Sequence, residues 1–310
     1  MIKPKPLRRG DTIGLVGISG AMRDPETRFE KMLEAIDALG YRVIVAESCR
    51  EEYGYLSGTD ASRARGLNQA FRNDRVDAVV CTRGGYGVAR MLDQVDFDVI
   101  RANPKLVLGY SDITALHIAI HQKVGMTTLH GPMPDRWMEF DDFTRDSLLR
   151  AVSSTEPLGI LQNPEGLVPQ CVVPGKCRGL LVGGNLSLIA AACGTPYALD
   201  VTDKVLLLED VNEYIYRLDS MLTQLRLNGM FEKCAGVVLG GFTKCTEEYA
   251  RYALHLEDVI RDIIVPAGKP VLANMSIGHM DTKLTVPLGV ECAVDADAGT
   301  LEILESALKD

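Results

Sequence analysis

A chain of 310 residues has room for two domains of about 100 to 200 residues, or one large one, with an ample buried core, so neither a structural metal nor a disulfide framework is needed. Hydrophobic residues at 46% and charged residues at 24% exclude disordered, collagen-like and coiled-coil chains. With 33 Lys and Arg against 42 Asp and Glu the net charge is −9, which offers no overall field for nucleic acid or anionic lipid and leaves only a local basic pocket open.

Lys3, Lys5, Arg8 and Arg9 precede the apolar stretch 13–18, as in a secretory signal. That stretch contains Gly14 and Gly17, follows Asp11, and falls short of the about 7 to 15 apolar residues of a signal core, so residues 12–17 read as a strand ended by Ser19-Gly20. Phe29, Met32, Leu33, Ile36 and Leu39 then fall at helical spacing over 25–39, with Pro25 in the first turn and Gly40 as cap. Residues 41–46 form the second strand, Thr59 or Asp60 caps a helix to about residue 73, and 76–81 and 106–109 are the third and fourth strands. Such alternation implies an α/β fold with a parallel sheet covered on both faces, and ligands bind beyond the carboxyl ends of its strands.

From about residue 155, Pro157, Pro164, Pro169, Pro174 and many glycines mark residues 156–178 as a linker between domains at 1–155 and 179–310. Beyond it, 204–208 reads as a strand, 213–228 as a helix with Ile215, Leu218, Leu222 and Leu225 on one face, and 235–240 as a strand. The tail at 283–304 reads as short strands with turns at Pro287-Leu288-Gly289 and Asp297-Ala298-Gly299. No apolar run approaches the roughly 18 residues of a membrane-spanning helix. The eight cysteines (Cys49, Cys81, Cys171, Cys177, Cys193, Cys234, Cys245, Cys292) show no C-x-x-C and no zinc-type spacing, which points to a reduced, cytoplasmic protein without a metal site.

Gly109-Tyr110-Ser111-Asp112-Ile113-Thr114 lies where a strand hands over to a helix beginning near Asp112. A serine there stands above the sheet, and the first N–H groups of the helix can stabilise an oxyanion. Gly109 fits the first half of a G-x-S-x-G elbow, but Ile113 occupies the second glycine position, and read alone the segment fits a helix N-cap at Ser111 or Asp112 better. Thr82-Arg83-Gly84-Gly85-Tyr86-Gly87 follows the third strand. Its glycines allow close backbone approach and a second set of oxyanion donors, or form an ordinary βα loop, and it matches neither a P-loop nor G-x-G-x-x-G.

A serine nucleophile needs a base and an orienting acid. Of the five histidines, His117 and His121 lie on the helix after Ser111 and cannot easily fold back, and His255 falls in a helix of mixed exposure. His130 and His279 both stand in loops, and spacing does not decide between them. Glu209-Asp210 end an apolar strand; Asp210 with Glu213 makes an Asp-x-x-Glu capping arrangement, which leaves Glu209 either available or simply solvated.

Taken together, Arg83-Gly84-Gly85-Tyr86-Gly87, Gly109-Tyr110-Ser111-Asp112-Ile113-Thr114, His130-Gly131-Pro132-Met133, Gly183-Gly184-Asn185-Leu186, Leu208-Glu209-Asp210-Val211-Asn212-Glu213 with Tyr216-Arg217, and Gly278-His279 resemble the LD-carboxypeptidases, the muramoyl-tetrapeptide carboxypeptidases of peptidoglycan recycling. The motifs run in family order over most of the chain. The resemblance implies a flavodoxin-like parallel-sheet N-terminal domain carrying the nucleophile and a smaller β-rich C-terminal domain carrying the Glu and His of the triad, commonly as a homodimer. It makes Ser111 the nucleophile, His279 the general base and then acid, and Glu209 the orienting group. Asp112 N–H and a glycine of the 84–85 pair, Gly85 foremost, would form the oxyanion hole, with Gly84, Arg83 and Arg217 at the substrate and either arginine as the cation for its carboxylate. No metal or organic cofactor, nucleic acid or membrane is implied. The implied reaction is hydrolysis of the amide between an L-centre, usually of a diamino acid, and a terminal D-alanine in a murein tetrapeptide. Within the same broad family, immunity hydrolases that cleave peptide-nucleotide antibiotics are the alternative, to which Trp137 and a 6% aromatic content lend little support. From another class, a binding protein or a thiol-using amidotransferase-like domain would turn on Cys81, which sits inside an apolar strand where an inert thiol is expected.

Overall fold

The apolar runs of the first half become short strands separated by helices. The computed structural model describes residues 1–22, 25–247 and 254–310. In chain order the elements are β1 (Thr12–Val16), α1 (Pro25–Ala38), β2 (Arg42–Val45), α2 (Asp60–Arg72), β3 (Ala78–Cys81), α3 (Phe97–Ala102), β4 (Leu106–Gly109), α4 (Thr114–Val124), β5 (Thr128–His130) and α5 (Asp142–Ser153). Thr59 starts α2 by accepting the Ser62 amide at 3.2 Å. Every residue of β1, β3 and β4 is buried, so both faces of the sheet are covered, and each Val, Leu or Ile so placed contributes about 1.5–3 kcal/mol.

These strands pair in parallel in the order β2-β1-β3-β4-β5, and the strand Val286–Leu288 adds an antiparallel edge beside β5. This is the flavodoxin-like order, whose direction reverses between β1 and β3. Loops leaving the carboxyl ends of β1, β3 and β4 therefore lie side by side, and they carry Ser19, the glycine-rich segment and Ser111.

The second sheet has eight strands among the described residues: β6 (Gly159–Ile160), β7 (Gln170–Val173), β8 (Lys176–Asn185), β9 (Val205–Val211), β10 (Gly236–Thr243), β11 (Val271–Ala273), β13 (Glu291–Asp295) and β14 (Thr300–Ile303), β12 being Val286–Leu288 of the first sheet. β8, β9, β10 and β11 are parallel, with β13, β14 and β6 antiparallel on one side and β7 on the other. Helices α6 (Leu186–Ala192), α7 (Ile215–Leu227), α8 (Met230–Lys233) and α9 (Leu256–Ile263) belong to this half. Among the described residues no helix is long and apolar enough to cross a membrane.

One unit comprises Met1–Glu156, Thr285–Gly289 and Ser306–Asp310; the other comprises Pro157–Leu284 and Val290–Glu305. The expected linker at 156–178 is corrected by this division: it carries β6, β7 and the start of β8, three strands of the second sheet. Its prolines misled because Pro169 and Pro174 flank β7, an edge strand, where a missing N–H costs no ladder bond. The expected second domain at 179–310 likewise yields 285–289 and 306–310 to the first unit.

Candidate active site

β4 ends at Gly109, and a single 3-10 turn, Ser111–Ile113, leads into α4. Ser111 has φ 65, in the left-handed region. Among the described residues, five non-glycines share that sign, and three of them, Asp203, Asn212 and Asn274, are types that tolerate it. For serine it is a strained conformation, of the kind that persists where the surroundings over-determine it. The Ile113 that replaces the second elbow glycine has a packing reason: a Cβ on Gly109 would lie 2.8 Å from its Cγ2, so the glycine makes room for the isoleucine.

The loop after β3 lies against this turn. A Cβ on Gly84 would sit 2.9 Å from Ser111 Cβ and 3.0 Å from its Oγ, so only a glycine admits the serine there. Gly85 follows with φ 134. The Asp112 carboxylate, 1% exposed, accepts the Ser19 hydroxyl at 2.6 Å and the Val88 amide at 2.9 Å. Burial pushes this carboxyl up, and the Ser19 hydroxyl, the Val88 and Gly87 amides and Arg63 oppose the rise. An N-cap role for Ser111 or Asp112 is not what forms: Tyr110 flanks the 3-10 turn and Ile113 flanks α4, neither with a capping side chain.

In the second unit, β9 carries Glu209 and Asp210 at its end, pointing to opposite faces of the sheet. Glu209 is fully buried, and its Oε2 lies 2.7 Å from His279 Nδ1. An ionised carboxylate only accepts, so Nδ1 carries the proton and Nε2 is left as the basic nitrogen. The loop after β11 delivers His279 by crossing β10 where its register slips between Leu239 and Phe242, and there Gly241 N–H donates to Ile277 O at 2.8 Å. Gly278 has φ 107, and a Cβ on it would lie 2.8 Å from Glu209 Cδ; the carboxylate fills the space a side chain would need.

Asp210 does not cap the helix that follows, as the Asp-x-x-Glu spacing suggested. Its oxygens accept Asn185 Nδ2 at 3.0 Å, Ser187 N at 2.9 Å and Ser187 Oγ at 2.7 Å, which fastens the start of α6. Glu213 instead binds Arg217 Nε at 2.7 Å, and Arg217 is 55% exposed. Arg83 gives Nη1 to the Ala21 carbonyl at 2.6 Å. Beside it Asp135 is pushed up to about 6 by burial, against the pull of Arg83, Arg136 and Arg28.

His130 is buried, with its ring edge-on to Tyr110 at 6.0 Å. His117 is buried, its Nε2 meets Gly109 O at 2.9 Å, and burial lowers it to about 4. His255 is not inside a helix but at the N-cap of α9, 2.9 Å from Glu247. Cys81 is fully buried, and burial raises its thiol. Among the described residues no group of three or more His, Cys, Asp and Glu is placed to hold a metal ion.

Ser19, Arg63 and two tyrosine pairs were not singled out from the sequence. Ser19 is 93 residues from Asp112, so no local spacing announces their contact. Tyr55 and Tyr86 meet edge-on at 5.7 Å and Tyr214 and Tyr216 stack at 5.8 Å, all four substantially exposed.

A family model described as the LD-carboxypeptidase N-terminal domain matches residues 13–131, and one described as the LD-carboxypeptidase C-terminal domain matches residues 178–294. A probable murein peptide carboxypeptidase of Bacillus subtilis (strain 168) is 38% identical over 99% of this chain and 97% of its own length. The Microcin C7 self-immunity protein MccF of Escherichia coli is 28% identical over 98% of this chain and 96% of its own. A solved structure of MccF in complex with glutamyl sulfamoyl guanosine covers 100% of both chains at 25% identity with a TM-score of 0.92. The muramoyltetrapeptide carboxypeptidase from Oxalobacter formigenes covers 95% of this chain and 99% of its own at 26% identity with a TM-score of 0.82.

Proposed function

The chain belongs to the LD-carboxypeptidase family, and from that premise we propose that it hydrolyses the amide between the L-centre of a diamino acid and the terminal D-alanine of murein tetrapeptides, in the recycling of peptidoglycan peptides. The observation that carries the mechanism is the 2.7 Å contact between Glu209 and His279, which leaves Nε2 of the imidazole as a base. Ser111 Oγ attacks the scissile carbonyl as His279 takes its proton. The tetrahedral oxyanion is held by the Asp112 and Gly85 amides, on either side of the contact between Gly84 and Ser111. Collapse expels D-alanine, whose amine takes the proton from His279, and water activated by the same nitrogen then hydrolyses the acyl-enzyme.

The carboxylate of the leaving D-alanine calls for a cation, and Arg83 and Arg217 are the proposed partners, with Gly84 lining the same loop. The bond of Arg217 to Glu213 engages one of the five N–H donors of its fork. The enzyme acts in the cytoplasm as a homodimer, without metal, organic cofactor, nucleic acid or membrane. The net charge of −9 fits the lack of a nucleic-acid partner.

The tyrosine pairs favour a second reading, cleavage of a peptide-nucleotide antibiotic, because their exposed rings offer faces on which a nucleobase stacks. Trp137 takes no part in it, being buried with its indole N–H on Pro132 O at 3.0 Å. Turnover of a murein tetrapeptide, read as released D-alanine, is compared with turnover of an acyl-sulfamoyl adenylate. The proposal expects tetrapeptide cleavage that falls by about 10⁶-fold in Ser111→Ala; cleavage of the adenylate alone overturns the recycling role.

A further inference from the structure

The Asp112 carboxylate and the Arg63 guanidinium are both nearly sealed from solvent, at 1% and 0% exposure, and neither is spent on its own helix alone. Asp112 directly follows Ser111. Its partners, Ser19 Oγ at 2.6 Å, Val88 N at 2.9 Å and the Gly87 amide, lie on the loops after β1 and β3. One carboxylate thus joins three loops that local sequence keeps apart. A helix cap accounts for none of these bonds, since all three donors lie outside the turn that contains Asp112.

Arg63 supplies the matching cation. Its Nη1 donates to Ile18 O at 2.6 Å, its Nη2 pairs with Asp60, and Asp60 is also gripped by Arg90 at 3.0 Å. A Cβ on Gly87 would come within 2.8 Å of Arg63 Nη1, so the guanidinium lies directly against the end of the glycine loop. At the start of that loop, Gly84 rests on Ser111, and Gly20 N–H reaches Gly84 O at 3.4 Å. The loop is therefore pinned at both ends, and its far end is pinned to the residue next to the serine.

We propose that Asp112, through its carboxylate, and Arg63 are positioning residues that set the distance between the peptide N–H groups of residues 84–88 and Ser111. This rests on the reading of Ser111 as nucleophile. An oxyanion hole acts only when its donors are aimed in advance, and a misplacement of about 1 Å costs on the order of 10²-fold in rate. Neither side chain touches the substrate.

The test is steady-state hydrolysis of the murein tetrapeptide together with hydrogen exchange of the amides at 85–88, in Asp112→Asn, Arg63→Met and Arg63→Lys. Asp112→Asn keeps the shape and the backbone amide but replaces an acceptor by a donor and removes the charge. The expected result is kcat lower by about 10²-fold with KM within about threefold, loop exchange at least about tenfold faster, and Arg63→Lys recovering much of what Arg63→Met loses. A kcat within about threefold of the parent in both Asp112→Asn and Arg63→Met, or a lost kcat with unchanged loop exchange, overturns the proposal. Should those variants fail to fold, Ser19→Ala removes a single donor; a kcat about three- to tenfold lower with faster loop exchange supports the proposal, and no change in either overturns it. Ser111→Ala separates the two readings: it should abolish turnover and leave loop exchange slow. Retained turnover there overturns the nucleophile assignment alone, while the exchange of Asp112→Asn still decides the tie.

Discussion

The Ser111 turn of the first unit and the carboxylate–imidazole pair of the second hold their side chains by different means. Ser111 is placed by backbone: a left-handed φ, a 3-10 turn, and the bare Cα of Gly84 against its Cβ. His279 is placed by another side chain, the buried Glu209, for which Gly278 leaves space. A site held by backbone depends on loop geometry and tolerates little added volume. A site held by a buried carboxylate depends on a charge keeping its partner, and loses most when that partner is removed.

His279→Ala should lower kcat by about 10⁶-fold, whereas His130→Ala, which removes a ring packed on Tyr110, should lower it by less than about tenfold once measured well below its melting temperature. Survival of activity without His279 would break the imidazole half of the comparison. Gly278→Ala and Gly84→Ala come next. Both would crowd a neighbouring side chain, but only Gly278 also holds a left-handed φ, of 107. Both should lose about 10²-fold in kcat, and urea unfolding should show a stability loss of about 1–3 kcal/mol more for Gly278→Ala. Equal stability losses would mean that the backbone conformation of Gly278 matters little.

Acid sensitivity provides a smaller effect. His117 is held neutral by burial, at about 4 against an ordinary 6.5, so the unfolded chain takes up a proton that the folded one refuses. Its contribution is complete above about pH 6.5 and is lost as pH falls toward 4, on the order of 3 kcal/mol. His117→Gln, which can still donate to Gly109 O, should flatten the stability profile across that window in denaturant melts. Asp135 has the opposite sign. Its carboxyl is raised to about 6, so the folded chain holds a proton the unfolded one has released, and stability falls as pH rises from about 4 through 6. Asp135→Asn should therefore raise the melting temperature by a few degrees at pH 7 to 8 and leave it unchanged near pH 4. A rise of equal size at pH 4 would assign the effect to packing instead.

The local pattern was sufficient for the elements that build the first sheet. β1 to β4, α1 and α2 fall within a few residues of their expected ends, because hydrophobic period, Pro25, Gly40 and Thr59 act over one or two turns of chain, whereas α3 went unread. The motifs at 83–87, 109–114 and 209–213 were equally legible, each a short run of residues at the end of a strand, as was 278–279 in the loop after β11. What was not legible depended on which distant strands pair. The prolines of 156–178 suggest a linker until β7 is seen as an edge strand, and the tail reads as strands without saying that Val286–Leu288 joins the first sheet. Asp210 was assigned to the helix ahead of it because its actual partners, Asn185 and Ser187, stand 25 and 23 residues away. Between His130 and His279, spacing could not decide which imidazole meets Glu209; the path of one loop over the register slip of β10 did, and that contact spans 70 residues. Periodicity and turn chemistry act through neighbours, so they appear in the sequence. Partners for a buried carboxylate are chosen by the folded sheet, where the cost of an unpaired charge outweighs any local preference.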